Sequence, residues 1–402
     1  MNRELTGLIS LAALTLIWSI LTYAWGGFVT GFLFYSLLFL LLYEILVYVS
    51  CVRGLFVKRE ISSPVLTAGQ SLHVSIKLSR PYVFPFTWLI LRDQNDLEKR
   101  SSLGKSSFLV ENERTVDLDY KIYGVRRGRY HFNQLECTAG DLFGIVERKV
   151  FCWEPQTVRV YPEIQPVSYW LTYAVHRGNR MQRYRPNAQD VTFVSGLRNY
   201  RVGDRLQQIH WKATARGQGI KVKESEQETA CEYIFVLDQD QSAYQRLPGE
   251  LFERAVSLAA SLIHHAISHR LVFSLVLTGA SPLYVNGGRS REHLIRVLEY
   301  LVDVKPDGQL LLPALVSHGG IPWSKNKRVV LISPRIDEQV GAFLHQLRKK
   351  KVDAELFWIA DSSAPVRQPH EILQQWPVWK IDQPSFDLSM KGGVWIGSKR
   401  SP

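Results

Sequence analysis

A long uncharged stretch near the N-terminus constrains the fold of this chain most strongly. No Asp, Glu, Lys or Arg occurs from Leu5 to Tyr43, which is longer than the ~20 residues that one membrane-spanning helix needs. Two glycines at 26–27 interrupt the stretch, and the adjacent Trp25 is typical of a membrane interface. We therefore predict a transmembrane helical hairpin over residues 1–52, with the second helix beginning at about Phe28.

The charges around this hairpin predict its orientation. Arg3 precedes the hairpin, Arg53 and Lys58 follow it, and the connecting turn is uncharged. By the positive-inside rule, both termini and the soluble domains are expected on the cytoplasmic side of the cell membrane. A cleavable signal peptide is the alternative, but residues 1–4 carry no net positive run. The net charge of +12 suits anionic surroundings such as the inner leaflet.

The hydrophobic pattern changes to a period of two between residues 60 and 165. Leu72, Val74, Ile76 and Leu78 alternate with polar residues, as expected of a strand with one buried face. Turn signals separate several such runs. We predict an all-β sandwich domain over 60–165, immunoglobulin-like in architecture.

Strand and helix patterns alternate after residue 226. Apolar runs at Tyr233–Leu237, Val272–Leu277, Val329–Ile332 and Leu356–Ile359 are separated by segments with helical spacing. Right-handed crossovers would make this a doubly wound α/β domain with a parallel sheet over 226–402. Ligand sites in such sheets lie at the carboxyl ends of the strands.

A basic and aromatic motif lies in the second half of the connecting segment, 166–225. Asp204 has the position of a helix N-cap, Gly217 that of a helix end, and Ile220 and Val222 that of one face of a following strand. The motif either pairs with carboxylates of a neighbouring domain or forms an interaction surface. No nucleic-acid partner is expected, because the basic and aromatic interleaving is short. Its candidate residues are Arg198, Tyr200, Arg201, Gly203, Asp204, His210, Trp211, Lys212 and Arg216.

This motif resembles the bacterial domain of unknown function 58 family. The resemblance is carried by R-x-Y-x-x-G-D at 198–204, I-H-W-K-A-T-A-R at 209–216, R-R-G-R-Y at 126–130, D-L-F-G at 141–144 and V-R-V-Y-P at 158–162. It implies a membrane hairpin, a β-rich region and a C-terminal part similar to a von Willebrand factor A domain. It also implies a non-enzymatic scaffold whose partners include a MoxR-type AAA ATPase and a transglutaminase-like membrane protein. Gln207 and Gln208 depart from the arginine that such proteins often have before I-x-W.

An acidic cluster follows the first strand of the predicted α/β domain. The resemblance to von Willebrand factor A domains implies that Asp238, Asp240 and Ser242 bind a divalent cation such as magnesium, for which oxygen ligands are suited. Asp240 replaces a hydroxyl of that pattern, and Arg335 in a later loop would disfavour a cation. Alternatively, the carboxylates cap a helix or accept hydrogen bonds from Arg198, Arg201 or Arg216.

These features lead to two hypotheses of function. The first is a membrane-anchored, non-enzymatic scaffold or adaptor that binds protein partners on the cytoplasmic face. The second is a metal-dependent enzyme that uses the Asp238 and Asp240 cluster. The sequence contains no recognisable pairing of a nucleophile with a base, which favours the first hypothesis.

Overall fold

The computed structural model of the chain forms two compact units, residues 1–161 and 162–402. It describes residues 3–81, 87–97, 107–110, 113–167, 170, 193–201, 206, 209–217, 219–226, 232–245, 247–325, 327–360, 376–381 and 393–395. Each unit is described separately below.

The first unit begins with two apolar helices, α1 (Arg3–Trp25) and α2 (Phe28–Ser50). Gly26 and Gly27 break them apart with φ angles of 60° and 121°, which glycine adopts without steric cost. The windows Thr6–Trp25 and Phe28–Ser50 have mean hydropathies of 1.8 and 2.2 and are 11% buried. Both helices are therefore long and apolar enough to cross a membrane, as the sequence predicts.

Two β-sheets follow the helices and share one buried hydrophobic cluster. The first has the strand order β1–β3–β6, and the second has the order β2–β8–β7–β4–β5. Neighbouring strands are antiparallel except for β2 and β8. Leu72, Val74 and Ile76 of β3 are fully buried, which confirms the predicted alternation. The strands are β1 (Phe56–Ile61), β2 (Val65–Thr67), β3 (Leu72–Ser79), β4 (Thr87–Asn95), β5 (Ser107–Val110), β6 (Thr115–Ile122), β7 (Gly128–Asp141) and β8 (Glu147–Tyr161).

The second unit contains a two-stranded hairpin and a seven-stranded mixed sheet. The hairpin pairs β9 with β10, and the large sheet has the order β13–β12–β11–β14–β15–β16–β17. The strands are β9 (Phe193–Asn199), β10 (Lys221–Glu226), β11 (Glu232–Leu237), β12 (Val272–Leu277), β13 (Leu283–Gly288), β14 (Lys327–Ser333), β15 (Asp353–Ile359), β16 (Val378–Ile381) and β17 (Gly393–Trp395). The helices are α3 (Trp211–Thr214), α4 (Gln241–Tyr244), α5 (Gly249–Ser268), α6 (Arg291–Asp303), α7 (Leu312–Ser317) and α8 (Glu338–Lys349).

The prediction of a parallel sheet is correct for the five central strands and wrong for both edges. β12, β11, β14, β15 and β16 are parallel, whereas β13 and β17 pair antiparallel with their neighbours. β13 follows β12 after a short turn, and a short turn allows only an antiparallel pair. Gly287 and Gly288 form the end of β13.

The large sheet is covered on both faces. On β11, Phe235 and Leu237 belong to one hydrophobic cluster together with α5. Ile234 and Val236 belong to the other, together with α7 and α8. Burial on both faces explains why β11 is a continuous apolar run rather than an alternating one.

Trp170, in the segment predicted to be a linker, is fully buried within the α/β unit. Its indole Nε1 donates to Oε2 of Glu355 over 3.1 Å, and its ring packs against Tyr233, Phe235 and Phe357. This part of the linker is therefore a component of the α/β core.

Candidate functional site

The acidic cluster lies where the sheet reverses its strand order. β12 lies on one side of β11 and β14 on the other, and Leu237 of β11 pairs with Ile332 of β14. The residues that follow these strands, Asp238 and Ser333, are therefore neighbours. Such a switch point is the usual ligand position of an open α/β sheet.

Asp238 is completely buried and both of its carboxylate oxygens accept hydrogen bonds. Oδ2 accepts from the hydroxyl of Ser333 over 2.7 Å, and Oδ1 accepts from the backbone N–H of Asp240 over 3.1 Å. Burial raises the pKa of Asp238 above its ordinary value, although Arg335 and Ser333 act in the opposite direction.

Asp240 caps the one-turn helix α4. Its Oδ1 accepts from the backbone N–H and the hydroxyl of Ser242 over 2.8 and 2.7 Å, and its Oδ2 accepts from Nη2 of Arg335 over 2.8 Å. Burial favours the neutral acid, but the hydrogen bonds from Ser242 and Arg335 outweigh it, so the pKa of Asp240 lies below its ordinary value. The three predicted metal ligands thus lie together, and helix capping and an ion pair already use the carboxylate of Asp240.

Arg335 joins the carboxylates of this site. Its Nε lies 3.4 Å from Oδ2 of Asp238 and 3.7 Å from Oδ2 of Asp337, and its Nη2 is the group that reaches Asp240. The arginine side chain is only 14% exposed. Its guanidinium therefore lies where a cation bridging Asp238 and Asp240 would have to bind, and the like charge opposes such a cation.

The arginine partner of the cluster differs from the three that the sequence suggests. Arg198, Arg201 and Arg216 belong to the hairpin segment, whereas the arginine paired with Asp238 and Asp240 is Arg335. Arg335 follows β14 by two residues, so the parallel sheet brings it to the end of β11. By contrast, the hydrogen bonds of the motif mainly join residues of the hairpin segment to one another.

Two further loops fix the backbone of the acidic cluster. The N–H of Gln239 donates to Oγ1 of Thr278 over 2.8 Å. Gly308 donates to the carbonyl of Gln239 over 2.8 Å and accepts from the N–H of Gln241 over 2.9 Å. A Cβ on Gly308 would overlap with the carbonyl oxygen of Thr278. Glycine is therefore required for this close approach, a requirement that spacing in the sequence does not reveal.

The basic and aromatic motif folds as the β9–β10 hairpin with the short helix α3 beside it. Arg198 pairs with Val222, and the N–H of Tyr200 donates to the carbonyl of Ile220 over 2.9 Å. His210 caps α3, because its Nδ1 accepts from the N–H of Ala213 over 3.0 Å. This helix begins at Trp211, after its cap His210, whereas the helix start predicted at Asp204 lies outside the described residues.

Several large apolar side chains of this hairpin segment are exposed. Trp211 is 67% exposed and Leu206 71%, whereas Ile209 and Val222, which form a β-bridge with each other, are buried. Leu197 and Ile220 are exposed as well. The charged residues Arg201, Lys212 and Arg216 are also exposed. We call Leu197, Leu206, Trp211, Lys212, Arg216 and Ile220 the hairpin surface. Gly203 and Asp204 lie outside the described residues.

Both the hairpin and the acidic cluster fall within one region of similarity to known proteins. Residues 196–357 match the family model described as "Protein of unknown function DUF58". The match begins within β9 and ends within β15, so the DUF58 region includes the hairpin surface, Asp238, Asp240 and Arg335. The likeness suggested by the motifs is therefore confirmed for this part of the chain.

One curated relative and two solved structures are also similar. The "Uncharacterized protein YeaD" of Bacillus subtilis (strain 168) is 28% identical over 282 residues, which cover 69% of each protein. The C-terminal domain of wzt is 12% identical with a TM-score of 0.19, covering 28% of this chain and 75% of that one. Proximal thread matrix protein 1 from the mussel byssus is 15% identical with a TM-score of 0.28, covering 39% and 44%. Neither structure is similar enough to establish a shared overall fold.

Proposed function

We propose that this protein is a membrane-anchored, non-enzymatic adaptor that binds protein partners through the hairpin surface. The observation that carries the proposal is the exposure of Trp211, at 67%, on a folded hairpin with Lys212 and Arg216 nearby. Clustered exposed apolar side chains mark interaction sites, and Trp and Arg contribute most to binding energy in protein interfaces. The basic residues favour a partner with an acidic surface.

The anchoring part of the proposal rests on the two apolar helices. The uncharged connecting turn and the basic residues at both ends favour cytoplasmic termini and soluble domains. We further propose that the two sheets of the first unit form an immunoglobulin-like sandwich and that the α/β unit is similar to a von Willebrand factor A domain. The family resemblance implies a MoxR-type AAA ATPase and a transglutaminase-like membrane protein as partners.

The ion pairs of Arg335 support an adaptor over a metal-dependent enzyme. A magnesium site at Asp238 and Asp240 would require the guanidinium to leave two buried carboxylates, and it would lose the 2.8 Å contact with Asp240. A buried charge that loses its partner is strongly destabilising. The second hypothesis, an enzyme using this cluster with a divalent cation, therefore needs a rearrangement that the adaptor does not.

A binding experiment with matched variants tests the proposal. The full chain, reconstituted in lipid nanodiscs, is mixed with a purified MoxR-type AAA ATPase from the same genome, with and without nucleotide, and the dissociation constant is measured. Trp211→Ala should weaken binding by tenfold or more, on the order of 1.4 kcal/mol.

Trp153→Ala is the matched control, because Trp153 is 69% exposed on β8 in the first unit. Equal binding by the two alanine variants and the wild type would exclude the hairpin surface as the contact. Absence of binding by the wild type would exclude this class of partner.

A further inference from the structure

The turn between β7 and β8 presents two apolar side chains to the exterior. Leu142 is 62% exposed and Phe143 is 64% exposed, although the two sheets have a closed hydrophobic core. These residues belong to the D-L-F-G motif at 141–144, which the adaptor function does not use. Adjacent exposed apolar residues of this size indicate an interaction with a protein or a membrane.

Hydrogen bonds fix the conformation of this turn, and this conformation keeps the two side chains exposed. The buried carboxylate of Asp141 accepts from the N–H of Phe143 over 2.7 Å and from the N–H of Val146 over 2.8 Å. The indole of Trp88 donates to the carbonyl of Asp141 over 2.7 Å. Gly144 has a φ of 71°, a conformation that disfavours other residues. Leu142 and Phe143 are thus held outward by their own backbone.

The same turn lies against both apolar helices. The rings of Phe143 and Tyr43 of α2 meet edge to face, with centroids 6.2 Å apart. An ideal Cβ on Gly7 of α1 would lie 2.5 Å from the carbonyl oxygen of Ile145, so the turn and α1 approach to backbone distance.

These contacts fix the level of the turn along the helices. Gly7 is near the start of the apolar window Thr6–Trp25, and Tyr43 lies seven residues before the end of the window Phe28–Ser50. At 1.5 Å per residue, Tyr43 is roughly 10 Å inside that end. If the helices cross the bilayer, the turn lies at the boundary between headgroups and acyl chains.

The next residues along the chain suit the headgroup region. Nη1 of Arg148 donates to the carbonyl of Tyr48 over 2.8 Å, and its guanidinium lies 4.7 Å from the ring centroid of Tyr48. Arginine and tyrosine at the ends of membrane helices are typical of this interface. The apolar tip of the turn therefore lies deeper in the bilayer than the charged side chain that follows it.

We propose that the turn at 141–146 inserts Leu142 and Phe143 into the bilayer surface beside the helical hairpin. The inference rests on the membrane anchoring proposed above and adds a lipid contact made by the β-sheet region itself. The lipid bilayer is the favoured occupant because the patch is continuous with helices whose exposed faces are apolar. The contact would fix the orientation of β7 relative to the membrane.

Photo-crosslinking to lipid tests this inference. Phe143→benzoylphenylalanine is introduced into the full chain, which is reconstituted in nanodiscs of phosphatidylethanolamine and phosphatidylglycerol and irradiated. Lipid adducts are quantified by mass spectrometry. The matched control is Tyr123→benzoylphenylalanine, because Tyr123 is also 64% exposed but lies near the opposite end of β7. The anchoring control is Phe39→benzoylphenylalanine in α2, where the residue is 76% exposed.

The expected result is a lipid adduct at position 143 at least about tenfold above that at position 123, together with an adduct at position 39. A lipid adduct at position 39, together with an adduct at position 143 no larger than that at position 123, would overturn the inference and leave the anchoring intact. No adduct at 39 would overturn both. A crosslink from 143 to protein instead of lipid would assign the turn to a protein partner. Leu142→benzoylphenylalanine repeats the measurement should the Phe143 variant fold poorly.

Discussion

Removal of the Arg335 side chain tests the structure of the acidic cluster. Asp238 and Asp240, whose side chains are 1% and 6% exposed in the wild type, lose their common cationic partner in Arg335→Ala. Breaking a buried ion pair by deleting one partner costs about 3–5 kcal/mol, because the remaining charge stays uncompensated. We expect the free energy of unfolding of the α/β unit to fall by this amount at neutral pH.

The pH dependence of this loss has a defined sign. Burial already raises the pKa of Asp238 in the folded state, and removal of Arg335 raises it further. A carboxyl group with a raised folded pKa binds its proton more tightly in the folded than in the unfolded protein. Protonation of Asp238 therefore reduces the destabilisation of Arg335→Ala as the pH falls. The wild type meanwhile loses the contribution of Asp240, whose folded pKa is lowered. The difference in free energy of unfolding between the wild type and Arg335→Ala should therefore decrease as the pH falls.

Hydrogen exchange measures this loss in the intact protein. The free energy of opening is obtained for β11 amides, Glu232–Leu237, in the full chain in nanodiscs, because core strands report the global stability of their unit. Arg296→Ala, at an exposed position of α6, is the control and should change stability by no more than ~0.5 kcal/mol. A loss in Arg335→Ala no larger than in this control would refute the assignment of Arg335 as the partner of the cluster.

The same variant tests whether the guanidinium excludes a cation. Magnesium should not stabilise the wild type, but it should stabilise Arg335→Ala if the freed carboxylates bind it. At 100 times its dissociation constant the gain is about 2.7 kcal/mol. Stabilisation of the wild type by magnesium to the same extent would show that the arginine does not block the site, and the enzyme hypothesis would gain support.

Three further changes should alter stability in the same assay. Trp170→Ala should cost about 3–5 kcal/mol in the α/β unit, because a fully buried indole is removed; a loss under 1 kcal/mol would contradict its place in the core. Gly308→Ala should destabilise by at least about 1–3 kcal/mol through overpacking, whereas Gly319→Ala, where a Cβ meets nothing within 4 Å, should be nearly neutral. Burial lowers the pKa of His265 to about 4, so stability should fall as the pH drops from about 6.5 to about 4. His265→Gln should remove most of that fall, and the exposed His264→Gln should lessen it only slightly, because the charge of His264 contributes less than burial to the lowered pKa of His265.

The elements with strong periodicity could be predicted from the sequence. The strand predicted at Val272–Leu277 has the observed bounds, and the uncharged stretch correctly predicts two apolar helices. β9 could not be predicted in the same way, because Ser195 and Gly196 interrupt its apolar pattern. Its pairing with β10 is a nonlocal contact that short-range periodicity does not encode.

The candidate site could be predicted only in part. Asp238 and Asp240 stand out because they follow an apolar strand directly, and Arg335 is recognisable as unfavourable for a cation. The sequence does not show which arginine pairs with the carboxylates, since Arg335 lies some 95 residues away along the chain and is brought close by the β11–β14 pairing. Local spacing favours Arg198, Arg201 and Arg216 only because they are nearer in sequence.

The site at the carboxyl ends of β11 and β14 is already filled by side chains and loops of the protein itself. Exposed segments elsewhere are therefore the more favourable binding surfaces of this chain. Arg335 and the Gly308 loop occupy the switch point at which an open α/β sheet usually binds its ligand. Trp211, at the start of helix α3, and Phe143, in the turn between β7 and β8, instead lie on segments that are already folded. His210 caps the helix that begins at Trp211, and Asp141 accepts the N–H of Phe143. A residue held in place before binding loses less conformational entropy when it binds. If the adaptor and lipid-contact proposals are correct, loosening these caps by His210→Ala or Asp141→Ala should weaken binding even though both aromatic side chains remain.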